Sequence, residues 1–330
     1  MRYFVRRIIF LVGTLWVAVT VNFIIPRLMP GTPVEAMMAR FRAHANFTPA
    51  AAKAIEEMLG ISTAPLYQQY WHYLGQAIHF NFGVSYTYFP YTVSYMIGRA
   101  LPWTLCLVGI ATIISFALGT VLGIVAASRR GRGSDAVLTT ASSFTSAFPY
   151  FWFALCALYF LAFKFGWFPL SGAYNANQTP AASASFLADA AYHGVLPGVT
   201  IVIASIGGWL LGMRNNMINT LNEDYVLLAQ AKGLRDSWVS YMYVARNALL
   251  PNITGFAISL GFVVSGSLLT EIVFGYPGIG YLLYNAVINE DYPLMQGLFL
   301  IIVVCVVVAN FLADLVYVLV DPRVRREGAA

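Results

Sequence analysis

Long apolar stretches alternate with shorter polar segments along this chain. Six stretches are apolar over about 20 residues, the length that a helix needs to cross a bilayer. They are residues 8–28, 101–127, 139–163, 195–213, 253–274 and 297–319. Inside a bilayer the backbone must satisfy its own hydrogen bonds, so helices are the expected spanning form. The pattern predicts an all-α membrane protein with six transmembrane helices.

A polar segment, residues 30–99, separates the first predicted span from the second. Thr48 followed by Pro49 suits the start of a helix, which Gly60 would end. Four apolar residues three or four positions apart predict a second, amphipathic helix whose aromatic rings suit a membrane–water interface. They are Tyr67, Tyr70, Trp71 and Leu74. We divide the chain into a first helix (1–29), this segment (30–99) and a core of five helices (100–330).

The other long polar segment, at about residues 214–251, interrupts the apolar second half of the chain. Its first part predicts a short helix with Asp224, or Asn222, as the N-terminal cap. Lys232 suits the negative end of that helix, and Gly233 suits a left-handed residue just after it. The sequence therefore predicts a helix that ends at Lys232–Gly233.

A second short helix is predicted after that break. Asp236 and Ser237 can cap its start, and it would run to about Leu249. Pro251 would then open the next apolar stretch, because proline is tolerated in a first helical turn. The segment therefore predicts two short helices between two membrane spans.

Composition supports a membrane protein, because 59% of the residues are hydrophobic and 10% are charged, against about 25% charged in soluble domains. The net charge of +5 does not indicate nucleic-acid binding. Lysine and arginine on the inner side set the orientation of a membrane protein. With the N-terminus inside, 13 of the 19 basic residues lie on the inner side. They are Arg2, Arg6, Arg7, Arg129, Arg130, Arg132, Arg214, Lys232, Arg235, Arg246, Arg323, Arg325 and Arg326. We therefore predict cytoplasmic termini, a cytoplasmic 214–251 loop and an extracytoplasmic 30–99 segment.

The loop resembles the "EAA" loop of ABC-importer permeases, in the variety found in peptide/nickel-type (dipeptide/oligopeptide permease B-type) permeases. The matching residues are Asp224-Tyr225-Val226, Ala229-x-Ala231-Lys232-Gly233-Leu234 and Arg246-Asn247-Ala248-Leu249-x-Pro251. Leu227 and Leu228 stand where the motif's name has Glu-Ala. Further matches are residues 30–33, 59–60, 65–70, 268–280, 310–317 and 321–325. Thr32 replaces the family's aspartate in the first of them.

This resemblance implies a type I ABC-importer permease fold and a subunit without catalytic residues. It implies that the loop is a coupling helix that docks on an ATP-hydrolysing subunit. The residues that carry this role would be Asp224, Tyr225, Ala229, Ala231, Lys232, Gly233, Leu234 and Arg235. The implied partners are two ATP-binding subunits or domains, a second related permease subunit, as a heterodimer, an extracytoplasmic solute-binding protein and membrane lipid. The implied location is the inner or plasma membrane of a prokaryotic cell, crossed several times.

The sequence lacks the phosphate-binding loop Gly-x-x-x-x-Gly-Lys-Ser/Thr, so the chain is not expected to hydrolyse ATP. Its four histidines, His44, His72, His79 and His193, lack zinc-type spacing, and we expect neither a metal nor a cofactor. Four residues are candidates for a gate or pathway: Pro149, Glu271, Pro277 and Gly278. A carboxylate in a span costs about 2.5–3.5 kcal/mol at the bilayer centre. We therefore expect Glu271 to serve an outer gate and Asp314 to pair with an inner basic residue.

The substrate stays open at this level. The resembling family carries dipeptides, oligopeptides, nickel chelates and, in some branches, short oligosaccharides; we expect an oligopeptide. Aromatic residues at Tyr86, Tyr88, Phe89 and Tyr91 could stack on a sugar, although such clusters more often serve packing. A secondary transporter or channel is the remaining alternative. It would call for paired charges within the spans or matching broken helices, which the sequence does not display.

Overall fold

The computed structural model describes residues 2–28, 64–181, 183–265 and 267–320. Several expectations lie outside the described residues: the helix starting at Thr48, the motif residues 30–33 and 59–60, and the C-terminal motif 321–325. The same holds for the side chain of Asp314 and its expected ion pair.

The described residues fold into helices, and their only extended pairing is a single bridge between Val84 and Thr92. The helices are α1 (Arg2–Leu28), α2 (Leu66–Ile78), α3 (Val93–Ser128), α4 (Gly133–Ala147), α5 (Tyr150–Ala157), α6 (Ala184–Thr220), α7 (Asp224–Ala231), α8 (Asp236–Trp238), α9 (Arg246–Phe262), α10 (Leu268–Val273), α11 (Ile279–Ile288) and α12 (Tyr292–Val320). Two π-helical turns extend this list: Leu158–Lys164 continues α5, and Val239–Ala245 joins α8 to α9. A 3-10 turn, Val263–Ser265, follows α9.

Four helices of the described part, α1, α3, α6 and α12, are long and apolar enough to cross a membrane. A fifth span is added if α4 and α5, which meet at 90°, count as one bent crossing. The predicted span 253–274 is not one helix, because the chain leaves α9 after Phe262 and resumes in the short α10. The all-α membrane class is confirmed, and the number six stays a prediction.

The break between α4 and α5 corrects the prediction of one continuous helix over residues 139–163. Phe148 is extended, with φ −94° and ψ 140°, and Pro149 follows with ψ 135°. Proline disfavours the helical conformation of the residue before it and removes a backbone donor. The helix therefore ends at Ala147 and restarts at Tyr150 in a new direction.

Small residues set the central packing between α3 and α6, the most extensive helix pair in the described part. A Cβ at Gly123 would lie 2.6 Å from the carbonyl oxygen of Leu210, and one at Gly119 would lie 2.5 Å from the Cβ of Trp209. Glycines at such positions let two helix backbones approach closely. Of two adjacent glycines in α6, Gly207 packs tightly against Ser142 of α4, whereas Gly208 faces open space.

The two ends of the helix bundle carry different structures. At one end α3 finishes beside residues 221–245, which we call the hairpin segment; Ser128 Oγ lies 2.9 Å from Ser240 Oγ. The other end holds the loop 79–92 and residues 275–291, which pack on the start of α3. We refer to these as the hairpin end and the opposite end.

Candidate functional site

The short helix α7 is anchored to the bundle by one apolar face. Val226 is fully buried and Ala229 is 3% exposed, and both join a cluster with Met213 and Met217 of α6. The π-helical turn Val239–Ala245 belongs to the same cluster and packs on both α7 and α6, so it joins α7 to the bundle. Ala229, expected at the surface that meets a partner, instead faces the interior of its own chain.

The opposite face of α7 is exposed. Leu227 and Leu228 are 52% and 57% exposed on this helix of eight residues. Of the predicted coupling residues, Asp224, Tyr225, Ala231, Lys232, Gly233 and Arg235 are exposed, and Leu234 is half-buried. The hairpin segment therefore presents a mixed apolar and charged surface at the end of the bundle.

The turn after α7 confirms the predicted helix end. Lys232 is the last half-helical residue, and Gly233 has φ +74°, in the left-handed region that favours glycine. The predicted N-terminal caps were wrong. Glu223 precedes α7 and Arg235 precedes α8, and neither side chain forms a capping hydrogen bond. Asp224 and Asp236 lie in first turns instead, where negative charge is favourable to the helix dipole.

The second half of the hairpin segment also differs from its prediction. The chain stays helical from Asp236 to Phe262 through the π-helical turn Val239–Ala245, so no short helix ends near Leu249. Pro251 lies inside α9 rather than in a first turn. The hairpin segment is therefore continuous with the helix that follows it.

The second half of the hairpin segment also has large exposed residues. Trp238, Tyr241 and Met242 are each about half exposed, and the sequence reasoning did not identify them. Their spacing of three and four residues places them on one face of a helix. This spacing is the signal by which the sequence could have identified them. Val239, Val244 and Ala245 are buried in the same cluster as Val226.

An ion pair lies at the hairpin end, between α4 and α6. Arg214 donates from Nε to Asp135 Oδ1 at 2.6 Å and from a terminal nitrogen to Oδ2 at 2.9 Å. The backbone N–H of Gly131 also donates to Oδ2, at 3.1 Å. The bidentate geometry fixes the direction of both side chains. The pairing of Asp135 with Arg214 was not predicted from the sequence, where Arg214 was counted only among the basic residues of the inner side.

Glu271 lies at the opposite end and is fully buried. Its Oε2 accepts from the backbone N–H groups of Gly280 at 2.7 Å and Tyr281 at 3.1 Å. Its Oε1 accepts from Thr104 Oγ at 2.9 Å, and that Oγ accepts from the N–H of Ile279 at 2.7 Å. The carboxylate of Glu271 therefore satisfies the free N–H groups at the start of α11, where negative charge is favourable.

Three of the four predicted gate residues belong to this one arrangement. A Cβ on Gly278 would lie 2.5 Å from Glu271 Cδ, so only glycine leaves room for the carboxylate. Pro277 lies between Gly278 and the buried Tyr276, whose N–H donates to the carbonyl of Glu271 at 2.8 Å. Pro149, the fourth gate candidate, is far from these three residues in the sequence. It directly precedes α5, a helix that packs on α10.

A second buried carboxylate, Asp291, was not recognised in the sequence. It precedes α12 and accepts from the N–H of Leu294 at 3.2 Å, from that of Thr87 at 2.8 Å and from the hydroxyl of Ser85. Burial, with a contribution from Asp291, raises the pKa of Tyr86 to about 12. The sequence signal for this role was an aspartate just before an apolar stretch, a position where a helix start is expected.

Comparison with known proteins gives consistent matches. Residues 119–326 match the family described as "Binding-protein-dependent transport system inner membrane component". The chain is 35% identical over 325 residues to a putative peptide permease protein of Brucella ovis, covering 98% of this chain and 99% of that protein. It is 32% identical to the oligopeptide transport system permease protein AppB of Bacillus subtilis over 98% of both chains. It is also 32% identical to the di/tripeptide transport system permease protein DppB of Pseudomonas aeruginosa, over 98% and 99%. The chain therefore belongs to the family of inner-membrane components of binding-protein-dependent transport systems, as an ABC-transporter permease subunit.

Proposed function

We propose that this chain forms half of the translocation pathway of an ATP-driven importer, and that ATP is hydrolysed on partner subunits that act on the hairpin segment. The observation that carries the proposal is the construction of α7. One face is packed into the bundle through Val226 and Ala229, and the other presents Leu227 and Leu228 to the surroundings. A force applied to such a helix would be transmitted through close-packed contacts to the turn Val239–Ala245, and from that turn to α6.

The exposed face suits docking in a groove of a partner protein. Helix-in-groove recognition uses apolar anchors from one helix face, and Leu227 and Leu228 provide two. Trp238 and Tyr241, both about half exposed, extend this surface with the aromatic residues that are enriched at interfaces. Asp224, Lys232 and Arg235 would form its charged rim.

The proposed arrangement places both termini and the hairpin segment in the cytoplasm. The excess of arginine and lysine on those segments supports it. It includes the expected six crossings, two ATP-binding subunits, a second related permease as a heterodimer and an extracytoplasmic solute-binding protein. Glu271, Pro277 and Gly278 would then lie near the outer side, where we assign them to a gate, with Pro149 bending the pathway.

We propose an oligopeptide as the transported solute. The support is the naming of the relatives in Brucella ovis, Bacillus subtilis and Pseudomonas aeruginosa as peptide permeases. Competition between labelled peptides and short oligosaccharides for uptake by the complete transporter distinguishes this solute class from the sugar alternative.

The coupling role is tested by placing a positive charge on the exposed face of α7. Ala231→Arg should leave the subunit assembled, because the residue is exposed, but should block docking and reduce uptake at least about tenfold, which corresponds to ~1.4 kcal/mol. Uptake and co-purification with the ATP-binding subunits are the measurements. Gly233→Arg is a less clean variant because φ is +74°, so its backbone would be strained as well.

Asn177→Arg is the matched control, since Asn177 is exposed in the loop between α5 and α6. It adds the same charge away from the hairpin segment and should leave uptake unchanged. Normal uptake in Ala231→Arg would contradict the proposed function.

A further inference from the structure

The ion pair of Asp135 and Arg214 lies where two helices meet at the hairpin end. The side chain of Asp135 is 6% exposed and that of Arg214 is 20% exposed, so the pair is largely removed from water. Removing two charges from water carries a penalty that offsets much of their attraction, so such a pair adds little net stability, whereas its two parallel hydrogen bonds fix the geometry. The pair is therefore better explained by the position it enforces than by the stability it adds.

A second contact joins the same two helices farther along. A Cβ on Gly207 of α6 would lie 2.8 Å from both the carbonyl oxygen of Ser142 and the Oγ of Ser146 on α4. Asp135 and Ser142 are seven residues apart on α4, as Arg214 and Gly207 are on α6. Seven residues make about two helical turns, so the antiparallel helices are held at two points in one register.

Arg214 is also adjacent to the anchor of the hairpin segment. It follows Met213, and Met217 lies one turn farther along α6. Both methionines share one buried cluster with Val226 and Ala229 of α7 and with the turn Val239–Ala245, which packs on both helices. The same stretch of α6 therefore contacts the hairpin segment with one face and α4 with another.

The far end of α4 is the 90° break at Phe148–Pro149. A helix of 15 residues that is held to α6 at two points should move with α6. Its displacement would then reach the break, where α5, which also packs on α6, continues in another direction.

We propose that Asp135 and Arg214 are positioning residues that make α4 move as one body with α6 and the hairpin segment, so that a displacement of α7 reaches the break at Pro149. This inference rests on the proposed function, because it assigns a route to the motion that the ATP-binding subunits would impose.

The test uses the complete transporter, reconstituted in vesicles with its partner subunits. Arg214→Gln and Asp135→Asn should each lower the number of peptides transported per ATP hydrolysed, by at least about fivefold, the lower range of typical coupling effects. ATP hydrolysis itself should continue. The double variant should be no worse than either single variant, because both singles remove the same interaction.

Arg132→Gln is the matched control, since Arg132 precedes α4 and is exposed. It should keep the normal transport ratio. A normal ratio in both single variants, or effects that add in the double variant, would overturn the inference. If Arg214→Gln does not assemble, Arg214→Lys carries the test: it keeps the charge and loses the bidentate geometry, and a normal ratio there would equally overturn it.

The two proposals fail in different ways. If Ala231→Arg abolishes uptake while the Asp135 and Arg214 variants keep a normal ratio, the hairpin segment is the coupling surface and this route is wrong. If Ala231→Arg transports normally, the proposed function itself is wrong.

Discussion

At the scale of single residues, two buried carboxylates accept hydrogen bonds at helix starts, a role that the residue type alone does not indicate. Glu271 and Asp291 are both fully buried and both accept backbone N–H groups at the start of a helix. Helix starts leave free N–H groups that need acceptors. Each carboxylate also accepts from a hydroxyl group far away in the sequence: Glu271 from Thr104, and Asp291 from Ser85. The start of each helix is thereby joined to a distant part of the chain.

Replacing Glu271 by glutamine tests the importance of that arrangement. The amide keeps the shape but loses the charge and one of the two acceptor oxygens, leaving Thr104 or the start of α11 without a partner. We expect unfolding to become easier by about 1–3 kcal/mol, and transport per ATP to fall if the residue serves a gate. Thermal unfolding in detergent and vesicle transport are the measurements.

Glu290→Gln is the control for this variant, because it removes a carboxylate at the same end that is only half-buried. It should change neither quantity. An unchanged transport ratio in Glu271→Gln would refute the gate role, even if stability falls as expected for a helix-start acceptor.

At the scale of elements, close contacts between helices depend on individual glycines rather than on glycine content. Gly123 of α3 lies against Leu210 and Met213 of α6, whereas Gly98 of the same helix faces open space. The sequence places Gly123 within the apolar stretch 101–127 and Gly98 just before it, and distinguishes neither as a packing position. Which of them meets a neighbour depends on the rotation of α3 relative to α6.

Gly123→Ala should therefore destabilise the protein. The added Cβ would lie 2.6 Å from the carbonyl oxygen of Leu210 and 2.8 Å from the Cβ of Met213, and such overpacking costs about 1–3 kcal/mol. Gly98→Ala, on the same helix, should be neutral or slightly stabilising. Thermal unfolding of the two variants in the same detergent compares them. Equal midpoints would contradict the close packing of α3 on α6.

Proline shows a similar dependence on context at the element scale. Pro149 stands at a 90° break between two helices, whereas Pro102, Pro197 and Pro251 lie inside α3, α6 and α9. The sequence predicted one continuous span across Pro149 and a helix start at Pro251. The actual outcome depends on whether neighbouring helices support the continued helix around the missing N–H.

At the scale of the whole molecule, the orientation in the membrane is the central prediction. Single cysteines at Ser237, in the hairpin segment, and Asn177, between α5 and α6, report the two ends; both residues are exposed. The three native cysteines are replaced first. A membrane-impermeant maleimide should label Asn177→Cys in intact spheroplasts and Ser237→Cys only after permeabilisation. The reverse labelling would refute a cytoplasmic hairpin segment and the coupling role with it.

The apolar stretches, the polar hairpin segment and the helix end at Lys232–Gly233 could be read from the sequence. Each depends on neighbouring residues: the sum of hydrophobicity over about 20 positions, or the backbone freedom of one glycine. The family resemblance drew on the same local motifs, and the match over residues 119–326 agrees with it.

The partners of the charged residues required the folded chain. Asp135 meets Arg214 across 79 positions, Thr104 meets Glu271 across 167, and Ser85 meets Asp291 across 206. Helix rotation and register determine these pairs, and neither is contained in a hydrophobic pattern that only separates apolar from polar residues. Residues 253–274 form two helices, α9 and α10, instead of one span. This division also belongs to the folded chain, in which Glu271 of α10 bonds to Thr104 of α3 and to the start of α11.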